Sequence, residues 1–425
     1  MTNRRALISW CLYDAANSAF PTVVTTFVFG AYYTQAIAVT PEDGAADWGL
    51  AVGLSAAAVA VTAPLLGAVA DQGGRRKPWL VVFTALCVVA TALLWFAAPN
   101  PNSAIWALTF VALGLFAFEL GMVFYNAMLP GLAPESHLGR VSGWGWGCGY
   151  IGGLACLVLS LVGFVQTDAP WFGVPTDEAM NIRAVMVLVA VWFAVLSLPL
   201  FLFTPDHRST GAPFLAAARA GVKQMAETIR HARQYAGLGR YLLARMIYTD
   251  GLNTLFAFGG IYAAGAFGME MAEVIQFAVA LNVTAGLGAM GFAWVDDRVG
   301  AKPVIVISLL ALIVFSAGLL LVESVVWFWV FGMGLGVFVG PAQAASRSLM
   351  ARLAPRDMQT EMFGLYALSG KATAFAGPLL VGWVTAASGS QRAGMATIIV
   401  FFAVGLLLLL PVRERGANDG NDASR

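Results

Sequence analysis

Charge is what this chain has least of. Its 425 residues hold 24 Lys and Arg, 23 Asp and Glu and 3 His, so 11% are charged, against roughly a quarter in a soluble domain. That excludes a disordered, collagenous or ordinary cytosolic protein. The net charge of +1 leaves no basic surface for nucleic acid. The three histidines, His137, His207 and His231, fall in polar segments without metal spacing. The four cysteines, Cys11, Cys87, Cys148 and Cys156, lie in apolar stretches; they show no ligand spacing and are expected to form no disulfides. No Walker A sequence, HExxH or nucleophile–base arrangement is present, so no enzyme chemistry is indicated and no cofactor is expected. The first apolar run opens after Arg4-Arg5 and continues far past a signal h-region, so no cleavable signal peptide is expected.

What is abundant is apolar. Hydrophobic residues make up 59% of the chain, and the mean hydropathy is +0.77. A membrane helix takes about 20 residues, and the pattern predicts twelve spans, at 7–38, 48–70, 78–98, 104–131, 140–165, 182–204, 241–267, 272–295, 303–322, 325–350, 361–387 and 394–411. Helices are expected because a spanning segment must satisfy its own backbone hydrogen bonds. With both termini inside, cytoplasmic segments hold 19 of the 24 Lys and Arg. The external loops hold only Arg183 and Arg392, and carry nine acids instead. This asymmetry sets the orientation: a multi-pass protein of a bacterial cell inner membrane, with cytoplasmic termini. Four regions follow: a six-helix bundle over 1–205, a basic and partly amphipathic linker over 206–240, a second bundle over 241–411, and a disordered tail over 412–425. A monomer in the lipid bilayer is expected.

The two halves resemble each other. Tyr13-Asp14-Ala15-Ala16-Asn17-Ser18-Ala19-Phe20 matches Thr249-Asp250-Gly251-Leu252-Asn253-Thr254-Leu255-Phe256 in the spacing of Asp, Asn, a hydroxyl residue and Phe. Leu132-Ala133-Pro134 with Gly143 matches Leu353-Ala354-Pro355 with Gly364. The turn Asp71, Gly74, Arg75, Arg76, Lys77, Pro78 matches Asp297, Arg298, Gly300, Lys302, Pro303. Three matches in one order point to a six-plus-six duplication. Transporters built from repeats bind solute near the bilayer midplane, where the repeats meet.

Leaving aside the first two residues of each span, six ionisable residues fall inside the spans: Asp14, Glu119, Asp250, Arg245, Arg347 and Lys371. Each costs at least about 2.5–3.5 kcal/mol at the bilayer centre, so each faces a partner or a cavity. At a rise of about 1.5 Å per residue, Asp14, Asp250, Lys371 and Glu119 lie too deep to snorkel. Arg245 and Arg347 lie only about 7.5 Å from Arg240 and Arg352, within reach of the cytoplasmic interface. Two readings stand side by side. One is three internal ion pairs that hold the helices together. The other is a polar cavity whose acids take a cation or proton and whose bases take an anionic group. Helical spacing puts Asn17 beside Asp14, Asn253 beside Asp250, Asn126 on the face of Glu119, and Gln343 on the face of Arg347. Asn17 and Asn253 can equally form helix-to-helix hydrogen bonds.

Asp71, Gly74, Arg75 and Arg76, with Asp297 and Arg298 in the second copy, read as a cytoplasmic gate or as a plain positive-inside signal. In the gate reading Asp71 sits at the positive N-terminal end of a neighbouring helix, and the arginines pair with acids across the halves. Gly147-x-Gly149-x-x-Gly152 matches a dinucleotide fingerprint, but no strand precedes it. The glycines Gly143, Gly145, Gly147, Gly149, Gly152 and Gly153 are read as close helix packing. Trp144 and Trp146 between them face either the cavity or lipid.

Gly67-x-x-x-Asp71-x-x-Gly74-Arg75-Arg76-Lys77 resembles the loop signature of the major facilitator superfamily, with Ala301 departing from it in the second copy. The opening Tyr13 to Phe20 resembles the YDWANSAF-type start of the family containing the fungal autophagy-related vacuolar amino-acid effluxer and its bacterial relatives, with Ala15 departing from the usual bulky residue. Gln343-Ala344-Ala345-Ser346-Arg347-Ser348 is similar to that family's GxxQAxSRS pattern. The resemblance implies an all-α fold of two pseudo-symmetric six-helix bundles, alternating access, and a role for Asp14, Asn17, Gln343 and Arg347. It implies amino acids as solutes; together with the charges inside the spans, the expected solute is a small zwitterion, an amino acid or short peptide, with a coupling proton as a further role for the acids. Arg347 or Lys371 is expected to hold the carboxylate; Asp14, Asp250 or Glu119 the ammonium or the proton. Export of amphipathic drugs or sugar-like solutes, lipid flipping, and sensing on a transporter fold remain as alternatives.

Overall fold

The computed structural model describes residues 3–211, 213–231 and 235–414, and among them no strand occurs. The first half opens with α1 (Arg4–Asn17), which runs through a π-helical stretch, Phe20–Phe27, into the short α2 (Phe29–Tyr32) and a second π-helical stretch, Tyr33–Ile37. It continues with α3 (Pro41–Gly73), α4 (Lys77–Leu93), α5 (Ala104–Leu132), α6 (Leu138–Ser160) and α7 (Met180–Phe203). In the linker stands α8 (Phe214–Arg230). The second half comprises α9 (Ala236–Phe267), α10 (Met271–Val299), α11 (Ala301–Leu321), α12 (Val325–Leu353), α13 (Gln359–Lys371), α14 (Ala376–Ser388) and α15 (Gln391–Leu409). Residues 415–425, most of the tail that the sequence predicts to be disordered, lie outside the described residues, as does Arg233 of the linker.

Nine helices among the described residues are long and apolar enough to cross a membrane. The other three predicted spans are helical as well, and each departs from the nine for a local reason. The first is interrupted by its π-helical stretches, where the hydroxyls of Thr25 and Thr26 both donate to the Pro21 carbonyl (2.6 and 2.9 Å). Such insertions occur frequently at functional sites. The seventh, α9, is continuous but carries Arg245, Asp250 and Asn253 along its length. The eleventh is split between Lys371 and Ala376. Pro378 explains the split: it has no N–H for the helical ladder, and its ring meets the carbonyl four residues earlier. Lys371 therefore ends α13, where the negative end of the helix dipole favours a cation.

Within the first half α1 packs on α6 and α7, and α4 on α5 and α7; within the second α10 packs on α12, and α15 on α9 and α11. The halves meet chiefly through α3 against α13 and α6 against α10. The glycines of α6 serve both faces of that helix. A β-carbon on Gly145, Gly149 or Gly152 would press on Asp14, Ser18 or Ala15 of the first span, whereas one on Gly143 or Gly147 would press on Ala289 or Met290 of α10. Close helix packing is thus what this stretch does.

The duplication appears as matched backbone caps. Asp206, just past α7, accepts from the N–H groups of Arg76 and Lys77 at the start of α4 (3.0 and 3.3 Å). Glu414, just past α15, accepts from Ala301 and Lys302 at the start of α11 (3.0 and 3.0 Å). The Lys77 ammonium reaches the Phe201 carbonyl and the Lys302 ammonium the Leu410 carbonyl (3.1 and 2.7 Å). These four helix ends are built alike because orphan N-terminal amides take a carboxylate in both copies.

Candidate functional site

Asp71, at the end of α3, accepts from the N–H groups of Thr360 and Glu361 in the first turn of α13, at 3.1 and 2.8 Å. A carboxylate of one half thus caps a helix of the other. Arg76 reaches across as well, from Nε to the Thr360 hydroxyl (2.9 Å) and from Nη1 to the Gln359 side-chain amide oxygen Oε1 (3.2 Å), while its Nη2 lies 3.4 Å from Asp71. The partners of Arg76 across the halves are therefore an amide and a hydroxyl, where the sequence suggested acids. Asp297 repeats the device: it accepts from the N–H of Arg140 near the start of α6 and from the Arg140 Nε, both at 3.0 Å. Ala301 has no side chain to repeat the contacts of Arg76, and Arg140 supplies the guanidinium instead. Gly74 takes a positive φ of 81° in the turn after α3. Arg75 and Arg298 are exposed and stand outside these contacts.

The linker adds a further layer at this end. Gly221 of α8 packs on the backbone of Val69, and Gln224 accepts from Gln72 while donating to the buried Glu361. The bundle is closed where Arg76 and Arg140 sit. Toward the other end α14 packs chiefly on α9 and α15, both of its own half.

Above this closure lies a cavity of about 210 Å³, walled by α5, α6, α9, α12 and α13. Of the predicted site residues, Glu119, Asn126, Asn253, Gln343, Arg347 and Lys371 line it. Phe118, Met122, Leu252 and Phe363 supply apolar wall. Lys371 and Glu119 form an ion pair at 2.6 Å between the halves, with side chains 30% and 20% exposed. The pair is reachable from the cavity.

Arg347 behaves differently. It is 1% exposed, and its Nη1 donates to Asp14 (2.9 Å) and Asn126 (3.3 Å), its Nε to the Ser142 hydroxyl (3.0 Å) and its Nη2 to the Ser142 carbonyl (2.7 Å). Trp10, Tyr125 and Trp146 cover its guanidinium, with ring centroids at 4.7, 5.7 and 5.6 Å. Helical distance allows Arg347 to reach an interface, yet it turns inward because Asp14 lies across the bundle from it.

The remaining predicted residues are dispersed. Asp14 is buried behind Arg347 and does not line the cavity. Asn17 is also buried, donating to the Met122 sulfur (3.3 Å) and accepting from the Ser18 hydroxyl (3.4 Å). Asp250 is buried beside Thr373, at the break between α13 and α14. The reading of three ion pairs is thus corrected to two, since neither Asp250 nor Arg245 meets an opposite charge among the described residues. Arg245 is no interfacial residue: its Nη1 donates to the Tyr366 carbonyl (2.6 Å) and the Ser369 hydroxyl (2.7 Å), in the cavity wall. Trp146 lines the cavity, whereas Trp144 packs on Trp294 at 5.8 Å. Sequence reasoning missed Arg140, Tyr248 and Tyr366. Tyr248 meets the Ser346 hydroxyl at 2.7 Å, next to Arg347.

The comparisons agree with this architecture. Over 417 residues the chain is 27% identical to the MFS-type transporter YxiO of Bacillus subtilis (strain 168), covering 97% of this chain and 95% of that protein. It is 25% identical over 305 residues to autophagy-related protein 22-1 of Penicillium rubens (strain ATCC 28089 / DSM 1075 / NRRL 1951 / Wisconsin 54-1255), covering 66% of this chain and 50% of that protein. The chain therefore spans about half the length of that fungal relative. In structure it is similar to the MFS transporter FucP in the outward conformation, with a TM-score of 0.73, 16% identity, and 95% and 97% of the two chains covered. The human organic anion transporter TETRAN is similar too, with a TM-score of 0.72, 15% identity, and 96% and 99% covered. The family described as vacuole effluxer Atg22 like matches residues 49–421. With its all-helical major facilitator fold and a cavity between two bundles, this multi-pass membrane transporter belongs to the vacuole effluxer Atg22 like family.

Proposed function

We propose that the protein is a secondary active transporter that moves a small zwitterionic solute, an amino acid or short peptide, across the cytoplasmic membrane by alternating access. One observation carries this reading. The Glu119–Lys371 pair joins the two halves at 2.6 Å and is open to the cavity. A zwitterion entering the cavity exchanges its own charges for that pair, with the ammonium on Glu119 and the carboxylate on Lys371. The charge balance of a low-dielectric site is then kept while the pair opens, because the solute supplies a partner to each of the two side chains.

Positive-inside asymmetry puts the closed, arginine-bearing end in the cytoplasm. The halves rock apart there as Asp71 and Asp297 leave the helix ends they cap, and close at the opposite end. Asp14, Asp250 and Glu119 are the groups available to carry a coupling proton. In this reading Asp71, Arg76 and Asp297 form the gate.

The test is solute-driven flux with purified protein in liposomes, supplied with amino acids on one side. Glu119→Gln and Lys371→Ala are each expected to raise the apparent KM about 10- to 150-fold, the loss of one hydrogen bond to a charged group. Proton movement that appears with amino acids and vanishes in Asp14→Asn places that acid in coupling. Full activity in both Asp14→Asn and Lys371→Ala overturns the assignment.

A further inference from the structure

Among the described residues, the cavity holds one positive charge that no ion pair balances. Glu119 answers Lys371, and Asp14 answers Arg347. Arg245, in the same wall, forms no ion pair among the described residues. Its side chain is nonetheless held in a set plane. Nη1 is committed to the Tyr366 carbonyl and the Ser369 hydroxyl, and the guanidinium lies 3.4 Å over the Tyr366 ring.

Among the described residues, the other edge of the guanidinium takes no hydrogen bond. Nε is enclosed by protein yet has no hydrogen-bond partner among the described residues, and no hydrogen bond falls on Nη2. The Nε–Nη2 edge is one that a carboxylate matches with two parallel bonds. A second enclosed donor, the Trp146 indole N–H, is likewise without a partner and lines the cavity from the opposite half. Nine enclosed side-chain polar atoms lack a hydrogen bond among the described residues, and of these the Arg245 Nε and the Trp146 N–H belong to residues that line this cavity. The Nε belongs to the uncompensated cation itself and the indole N–H faces the same cavity from the other half, so the cavity wall offers donors to an anionic acceptor. Lys371 stands close by: Arg245 Nη1 is 3.1 Å from where a β-carbon on Gly370, its chain neighbour, would be.

We propose that Arg245 anchors the carboxylate of the transported solute, gripping it together with Lys371, and that the Trp146 N–H closes on it from the other half. The inference rests on the reading of a zwitterionic solute and assigns the group that holds its negative end. Arg347 is the less suited arginine, because its donors are taken by Asp14, Asn126 and Ser142 and its faces by aromatic rings.

The experiment is ligand-induced thermal stabilisation of the purified full chain and of Arg245→Gln and Arg245→Lys. The probes are amino acids, the matching amines without a carboxylate, and the matching carboxylic acids without an amine. Wild type is expected to respond to amino acids. Arg245→Gln should weaken that response about 10- to 100-fold, as for a lost charged hydrogen bond. Arg245→Lys should recover part of it, since it keeps the charge but not the two-bond edge. If Arg245→Gln does not fold, the deficit in Arg245→Lys carries the test. Unchanged amino-acid binding in either folded variant overturns the role of Arg245 and leaves the zwitterion reading standing. A response to carboxylic acids alone, lost in Arg245→Gln, upholds Arg245 and overturns the zwitterion. A response to amines but to no carboxylate overturns both.

Discussion

Replacing Arg347 with methionine is expected to abolish transport and to destabilise the protein by about 3–5 kcal/mol, the cost of breaking a buried ion pair from one side. The reason lies in what remains. Asp14, 5% exposed, would be left buried with no cation facing it. The Ser142 carbonyl and the Asn126 carboxamide would each lose a donor. Methionine fills the space among Trp10, Tyr125 and Trp146, so the loss reports charge and hydrogen bonding more than a cavity. Asp14→Asn alone should cost less, since an amide oxygen still accepts from Arg347. The double variant Asp14→Asn with Arg347→Met should be more stable than Arg347→Met, because it removes the stranded carboxyl group. Thermal unfolding in detergent or nanodiscs reads all three. An Arg347→Met protein as stable as wild type means that the pair contributes nothing to the fold.

Gly67→Val should hold the arginine-bearing end open and lower transport at least about fivefold. A β-carbon at Gly67 would overlap the Thr360 carbonyl and lie 2.9 Å from Glu361 Cα, and these are backbone atoms of the opposite half. Gly364 faces α3 in the same way, with Ala63 and Pro64 backbone against it. No rotamer relieves a clash with backbone, so α3 and α13 must separate. Overpacking costs about 1–3 kcal/mol, which shifts the closed-to-open ratio about 5- to 150-fold. As the halves part, Asp71 loses the amides of Thr360 and Glu361 and the opening grows. Spin labels at Arg75 and Arg356, both exposed, read the separation directly. A distance distribution like that of wild type, with full transport, rules out α3 against α13 as the closing contact.

Much of this was legible along the chain. Hydropathy and the Lys and Arg pattern predict a helical membrane protein, and the structure and its relatives agree. Glycine spacing in α6 predicts close packing, and alternate glycines meet α1 and α10. The acid at the end of α3 belongs at a helix N-terminus, and Asp71 is there. All three are local or one-dimensional properties, fixed by a residue's type and its distance from a helix end.

The sites were legible only in part. Depth along a helix follows from a constant rise per residue, and it predicts that Asp14, Glu119, Asp250 and Lys371 lie deep in their spans. Depth says nothing of which way a side chain points around the helix axis relative to the other half. Asp14 and Asp250 occupy matching positions of the repeat, yet only Asp14 meets a cation. Arg245 and Arg347 are equally near an interface by count of residues, yet one stacks on Tyr366 and the other binds Asp14.

By itself, then, the sequence determined the helices, their orientation signal, the duplicated turns and the short roll of charges that the membrane cannot leave unattended. The tertiary structure decided the pairing. Arg347 and Asp14 are 333 residues apart, and their union depends on how two bundles face each other. That relation is set by backbone contact at Gly67, Gly143 and Gly364, not by anything the charged residues carry in their own surroundings. It is also why, among the described residues, Arg245 is left without a counter-ion: the geometry that gave Arg347 and Lys371 their partners brings none of these to it.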